Sequence, residues 1–248
     1  LKVIEDCAQS PGGIYKDHNL GTIGDCGVFS FQETKNMMTG EGGMLITNDE
    51  HIAKVAQMVR NHGEMIVPSQ KSRSYVSEFL GWGYRMTELE AALGIAQLSK
   101  LDYLNNERIK LAEYLSTEIN KIDGLKHVKY DYVKHVYYIF AFSFDEKQIG
   151  ISRNKFCESL NAEGIPCGAG YVKPLYMNPL YLEKRSFAFR HYTGKIEYFK
   201  GLCPVTENLH EQKVVTIAVV RPPATIDDMA DIVNAIKKIL GNKEKLKE

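Results

Sequence analysis

Residues 27–63 read as a strand, a glycine-rich turn, a second strand and an amphipathic helix, and this alternation constrains the fold more than any single residue does. Residues 27–31 have the composition of a short strand, and residues 44–47 form another that ends at the turn signal Asn48-Asp49. Beyond it Ile52, Val55, Ala56 and Val59 recur at three-and-four spacing, the mark of a helix with one apolar face, which stops before His62-Gly63. Residues 2–5 supply an earlier strand. Strands alternating with helices call for an α/β layer, in which ligands bind at the carboxyl ends of the strands.

Residues 63–86 are polar and irregular, with Pro68, Gly81 and Gly83 as breakers. Thr87-Glu88-Leu89-Glu90 is then a capping-box signature, so a long helix is expected from that point. Leu89, Leu93, Ala96 and Leu101 mark its apolar face, and helical composition continues, with room for a break, to Ile122 before Asp123-Gly124. The expected domain boundary lies within this helix, giving domains 1–105 and 106–248. The second domain reads as compact α+β: an aromatic strand over 136–144, a helix capped by Ser152 and ended by Gly164 with Phe156 and Leu160 inward, and a strand over 214–220. A final helix behind Thr225 carries Ile226, Met229, Val233, Ile236 and Leu240 on one face, and the charged tail from Gly241 is expected to fray.

The 31 basic and 31 acidic residues cancel, which leaves no global field to draw nucleic acid or an anionic membrane, so a small-molecule partner is expected. Cys7, Cys26, Cys157, Cys167 and Cys203 lie far apart without a C-x-x-C pair, and they read as buried thiols of a reducing compartment rather than metal ligands. No apolar run is long enough to span a bilayer and no leader precedes the first strand, so the expected location is the cytoplasm.

Chemistry concentrates in residues 5–43. Glu5-Asp6-Cys7-Ala8-Gln9 ends one strand, and Phe29-Ser30-Phe31-Gln32-Glu33-Thr34-Lys35 ends another. An acid (Asp6), an amide (Gln9), a hydroxyl (Ser30) and an amine (Lys35) can thus converge on one ligand. Pyridoxal phosphate (PLP) needs that set: an amine for its aldehyde carbon and a carboxylate to keep the pyridine nitrogen protonated. A lysine near a cation or in an apolar pocket loses its proton more easily, and the neutral amine attacks carbonyls. Each residue also has a plain structural reading: Lys35 as a solvated charge, Asp6 as a strand-end cap, Ser30 as a backbone-bonded hydroxyl, and His62 as a helix cap. The Tyr and Phe residues over 137–144 read as core. Gly40-Glu41-Gly42-Gly43 lacks the ending of a P-loop and reads as a turn behind the ligand.

These stretches, with Thr39-Gly40-Glu41-Gly42-Gly43-Met44, Arg60-Asn61-His62-Gly63, Tyr84-Arg85-Met86-Thr87, Gly164-Ile165-Pro166 and Lys173-Pro174-Leu175-Tyr176, resemble the DegT/StrS-type sugar aminotransferases of the aspartate aminotransferase fold type I. The resemblance covers nearly the whole chain. It implies the C-terminal part of a PLP-transferase large domain, a mostly parallel sheet flanked by helices, followed by a smaller α+β domain. It also implies that Lys35 holds PLP as a Schiff base and moves the proton, that Asp6 pairs with the pyridine nitrogen, Gln9 with the ring or its hydroxyl, and Ser30 with the phosphate. His62, Tyr84 and Arg85 would lie near the substrate or a homodimer interface. The implied reaction moves an amino group from glutamate or glutamine to a nucleotide-linked keto sugar, as in polysaccharide biosynthesis, and inositol ketones are acceptors of related enzymes.

Two departures bear on this reading. Gly83 stands where family members often carry an asparagine that reaches the neighbouring subunit's phosphate site. The family's N-terminal segment, with a Gly-Thr turn that grips the phosphate, does not precede Leu1, so the chain is expected to be N-terminally truncated and catalytically incomplete alone. Alternatives are an inactive regulatory or interaction protein of the same fold, and a PLP-dependent sugar dehydratase. Dehydratases of the family carry His at the lysine position, so Lys35 argues against the latter.

Overall fold

The computed structural model describes residues 1–65 and 75–246; residues 66–74, with Pro68, and 247–248 lie outside the described residues. The chain divides into two compact units, Leu1–Ile109 with Tyr130–Tyr138, and Lys110–Lys129 with Ile139–Glu248.

In the first unit, β1 (Ile4–Asp6), β4 (Cys26–Ser30) and β5 (Gly43–Ile46) form a sheet with β4 in the middle. β4 runs parallel to β1, with Asp6 opposite Val28, and antiparallel to β5, with Ser30 opposite Gly43. β2 (Ile14–Tyr15) and β3 (His18–Asn19) form a small second sheet with β7 (Val133–Lys134). The backbone around Gly21 crosses β4 so closely that a Cβ on Gly27 would sit 2.4 Å from Gly21 Cα, so only glycine fits at 27.

α1 (Glu50–Arg60) starts where Asp49 accepts from the backbone N–H groups of His51 and Ile52, which satisfies donors that the helix itself leaves open. α2 (Glu88–Leu98) opens on the Thr87–Glu90 capping box, and α3 (Leu101–Ile119) follows after a break at Ser99-Lys100. Of the expected apolar face, Leu89 (85%), Leu93 and Ala96 are exposed and only Leu101, at the start of α3, is buried; Ile95 and Leu98 of α2 are exposed as well.

The second unit is built on an antiparallel sheet in the order β6 (Leu125–Lys126), β8 (Phe140–Phe144), β10 (Val214–Ile217), β9 (Cys167–Ala169). Besides the short helices α4 (Glu146–Ile149), α6 (Pro179–Leu182) and α7 (Pro204–Asn208), it carries α5 (Arg153–Ala162), capped by Ser152, and α8 (Ile226–Gly241), opened by a Thr225–Asp228 capping box, which contribute its apolar faces. Phe156 and Leu160 are fully buried, as are Met229 and Ile236, and the Phe156 ring packs 4.9 Å from that of Phe144.

Four further expectations change. The strand over 136–144 begins only at Phe140, because Tyr137 takes a left-handed backbone (φ 47°) that no ladder accommodates, and residues 130–138 belong to the first unit. The strand over 214–220 stops at Ile217, where its partners Phe140 and Cys167 end on either side. The cysteines are not uniformly buried: Cys203 is exposed and Cys167 half-buried, and Cys157 and Cys167 are neighbours in space. The tail is ordered for a further 3₁₀ turn over Lys243–Leu246, with Lys243 Nζ donating to the Ile149 carbonyl at 2.7 Å.

Phe156→Ala removes a fully buried ring that the surrounding sheet and helices cannot refill, so a loss of about 3–5 kcal/mol in urea unfolding is expected. A cost below about 1 kcal/mol would contradict a close-packed core at this position.

Candidate functional site

Glu5 and Asp6 are adjacent carboxylates used in opposite ways. Glu5 turns back into its own unit and accepts from the N–H groups of Gly21 (2.8 Å), Ile23 (2.6 Å) and Gly24 (2.7 Å). Burial pushes the Glu5 carboxyl up, but the three donors together outweigh it and hold the group below the usual carboxylate range. Asp6 is exposed at the carboxyl end of β1. Its Oδ1 accepts only from Ala8 N, at 3.0 Å, and it has no ion-pair partner among the described residues.

Ser30 is the last residue of β4, so the parallel pairing brings it to the same sheet edge as Asp6. Its Oγ accepts from Gln32 N at 3.3 Å, which leaves the hydroxyl hydrogen to donate elsewhere. The chain then turns: Lys35 N donates to the Gln32 carbonyl at 2.9 Å, and Phe31 bonds through its N–H to the Gly42 carbonyl and through its carbonyl to Thr39 N, both at 2.8 Å. The Gly40–Gly43 run thus folds directly behind the turn that carries Lys35. Gln9 is exposed in the turn after β1, where Ser10 N donates to the Cys7 carbonyl.

Lys35 is half-buried, makes no ion pair among the described residues, and holds its ammonium 4.4 Å from the centre of the Tyr138 ring. The Tyr138 hydroxyl is hydrogen-bonded to Thr34 Oγ1 at 2.7 Å, which fixes the ring under the amine. Behind Lys35 the next side chain, Asn36, is buried. Its Nδ2 donates to Asn105 Oδ1 (2.9 Å) and to the Val136 carbonyl (2.8 Å), and Asn105 Nδ2 donates to the Pro11 carbonyl at 2.8 Å. Met37 packs into a small core with Phe31 and Leu101. None of Tyr138, Asn36 or Asn105 was legible as part of a site: Tyr138 lies 104 residues from Thr34, and the stretch around it reads as core.

His62, Tyr84 and Arg85 form a cluster of their own at the end of α1. Asn61 bridges to Gly83, His62 N donates to the Trp82 carbonyl at 3.0 Å, and Tyr84 N donates to the Arg60 carbonyl at 3.0 Å. Arg85 Nη1 donates to Asn61 Oδ1 at 2.6 Å, and the Tyr84 ring stacks on Trp82, 5.7 Å between centres. The helix cap is Asn61, while His62 lies beyond it with φ 61°. A Cβ on Gly83 would come 3.1 Å from His62 Cε1, so this chain's glycine is matched to the position of the imidazole. No helix among the described residues is long and apolar enough to cross a membrane. Nor do these residues contain a group of three or more His, Cys, Asp or Glu that could hold a metal ion.

Asp6 and Ser30 thus lie at the same end of paired strands, and Lys35 follows in the turn after Ser30. Asn105→Ala deprives both Asn36 and the Pro11 carbonyl of a buried partner, so urea unfolding should show a loss of about 1–3 kcal/mol. An unchanged midpoint would show that the amide pair does not hold this turn.

The chain matches the family model described as the DegT/DnrJ/EryC1/StrS aminotransferase family over residues 1–237. A relative from Streptoalloteichus tenebrarius named L-glutamine:2-deoxy-scyllo-inosose aminotransferase is 30% identical, over 100% of this chain and 60% of its own length. The structure of an aminotransferase from Psychrobacter cryohalolentis superimposes with a TM-score of 0.82 at 29% identity, covering 98% of this chain and 62% of that one. The Streptococcus pneumoniae protein Spr1654, solved in a PLP form, matches in fold, with a TM-score of 0.77 at 21% identity over 99% of this chain and 58% of that one. The chain spans about 60% of the length of the curated relatives it matches. Fold type I is thus the architecture to which the two units contribute, and the chain belongs to the DegT/DnrJ/EryC1/StrS aminotransferase family.

Proposed function

We propose that the protein is a PLP-dependent aminotransferase in which Lys35 is the amine that anchors the cofactor and Asp6, Gln9 and Ser30 hold it. The observation that carries this reading is the contrast between Glu5 and Asp6: one carboxylate is saturated by backbone donors, while its neighbour is left uncommitted at the sheet edge that also carries Ser30. That donor set fits PLP. A protonated ring nitrogen suits the Asp6 carboxylate, and a phosphate oxygen suits the free Ser30 hydroxyl hydrogen. Among the described residues Lys35 has no acidic partner to compete for its amine.

When bound, PLP supplies an electron sink for the carbon that loses its proton. The chain's own residues do the rest. Lys35 Nζ carries that proton from one carbon to the next, and the Tyr138 ring, fixed by Thr34, sets where Nζ rests between transfers. Asp6 keeps the ring nitrogen charged, and Gln9 steadies the ring. Arg85, oriented by Asn61, and Tyr84, stacked on Trp82, present a cation and a hydroxyl for an anionic, hydroxyl-rich substrate.

In this reading the donor is glutamate or glutamine and the acceptor is the keto group of a nucleotide-linked sugar. A second acceptor class, cyclitol ketones, is favoured by the name of the Streptoalloteichus relative. The protein works as a homodimer; the exposed Leu89, Ile95 and Leu98 of α2 support a covered face there, since bare leucines and isoleucines in water forgo the gain of burial. The site is completed by the remaining length that the family's members have.

The test is spectroscopic. Full-length protein mixed with PLP should show an absorbance band that shifts when glutamate or glutamine is added, and Lys35→Ala should abolish the band. No band, or one that survives Lys35→Ala unchanged, contradicts the proposal and favours a non-catalytic protein of the same fold.

A further inference from the structure

Cys157 and Cys167 take no part in the site above, and the fold sets them side by side. Cys167 Sγ lies 3.5 Å from the Cys157 carbonyl oxygen and Cys157 Sγ lies 3.9 Å from the Gly168 carbonyl oxygen, so each thiol rests against the backbone of the other's segment. Asn161, one turn further along α5, clamps both backbones. Its Oδ1 accepts from Cys167 N at 3.1 Å, and its Nδ2 donates to the Cys157 carbonyl at 2.8 Å and the Cys167 carbonyl at 3.0 Å. With both main chains held by one amide and each thiol against the other's backbone, the fold brings the two cysteines side by side, which a disulfide requires.

The pair is also reachable. Both cysteines line an open cavity of about 400 Å³ together with Arg153, Glu158 and His210. Cys167 is half-buried, whereas Cys157 is 3% exposed and sits behind it. The S–H of Cys157 and the amide of Asn161 stabilise a thiolate on Cys167 and hold it below the usual thiol range, while the same hydrogen bond and burial push Cys157 up. The accessible thiol is therefore also the more nucleophilic one.

We propose that Cys157 and Cys167 are a thiol–disulfide exchange pair, which small-molecule disulfides such as oxidised glutathione convert to an internal disulfide joining α5 to β9. The Cys167 thiolate attacks one sulfur of the small disulfide, forms a mixed disulfide and expels one thiolate. Cys157 releases its proton to solvent, attacks Cys167 Sγ and expels the second thiolate. The two protein thiols lose two electrons and two protons, and the small disulfide gains them as two thiols.

Glu158 and Glu163 lie between the two cysteines, so cleavage after glutamate puts them on separate peptides. The folded chain is incubated with oxidised glutathione, quenched in acid, alkylated, cleaved and read by mass spectrometry. The expected result is a linked pair of peptides carrying Cys157 and Cys167, with loss of both alkylated forms, and recovery of both after dithiothreitol. Cys157→Ser should leave glutathione stalled on Cys167. If that variant does not fold, Cys167→Ser should abolish the link and leave Cys157 unmodified. Exposed Cys203 is the internal control, since it has only glutathione to pair with. The proposal is overturned if Cys203 carries glutathione while Cys157 and Cys167 are both recovered alkylated, or if glutathione remains on Cys167 in the unsubstituted chain.

Discussion

Asn36 and Asn105 are buried amides joined by a 2.9 Å hydrogen bond, and the position of Lys35 follows from where that bond holds the main chain. A buried amide without a partner costs about 1–3 kcal/mol, so the turn cannot slide without breaking contacts to Asn105 and the Val136 carbonyl together. Met37, one residue on, adds an apolar anchor against Phe31 and Leu101. Lys35 lies between these buried neighbours and the sheet end, with its Nζ 4.4 Å from the centre of the Tyr138 ring. The lysine is thus carried by a rigid support while its amine has no ionic partner among the described residues. A reactive amine needs both.

The same division of labour runs through the carboxylates. Three backbone donors make Glu5 a fastener for the loop over 21–24, and the close crossing at Gly21 and Gly27 depends on that loop staying in place. Asp6, with its side chain on the other face of the strand, accepts one local hydrogen bond, from Ala8 N, and makes no ion pair among the described residues. Alternation along a strand is enough to give neighbouring acids these two roles. The second unit has a comparable arrangement, in which Asn161 holds two backbones so that Cys157 and Cys167 lie side by side.

Local signals were legible in the sequence wherever one short stretch carried the whole instruction. The capping box at Thr87, the caps at Ser152 and Thr225 and the inward face of α5 all rest on spacings of three or four residues and appear as read. The face of α8 is turned, with Ile232 and Ile239 buried beside Met229, Val233 and Ile236 while Ile226 is 43% exposed. The misread places are those where distant segments decide. Tyr137 breaks the expected strand by a left-handed turn within a segment that belongs with the first unit, and the ladder of β10 ends where both its neighbours end. Tyr138 and Asn105 reach Lys35 and Asn36 from far along the chain, and nothing in their own neighbourhoods marks them. Cys157 and Cys167 read as unrelated because nine residues of helix and turn separate them, yet that length returns the chain from α5 to β9.

The account stands on Lys35 as the one lysine that joins the cofactor. The most direct measurement is to load full-length protein with PLP, reduce it with borohydride, digest it and locate the phosphopyridoxyl group by mass spectrometry. The group is expected on Lys35 alone. Its appearance on a different lysine, or on none while PLP is bound, would contradict the account.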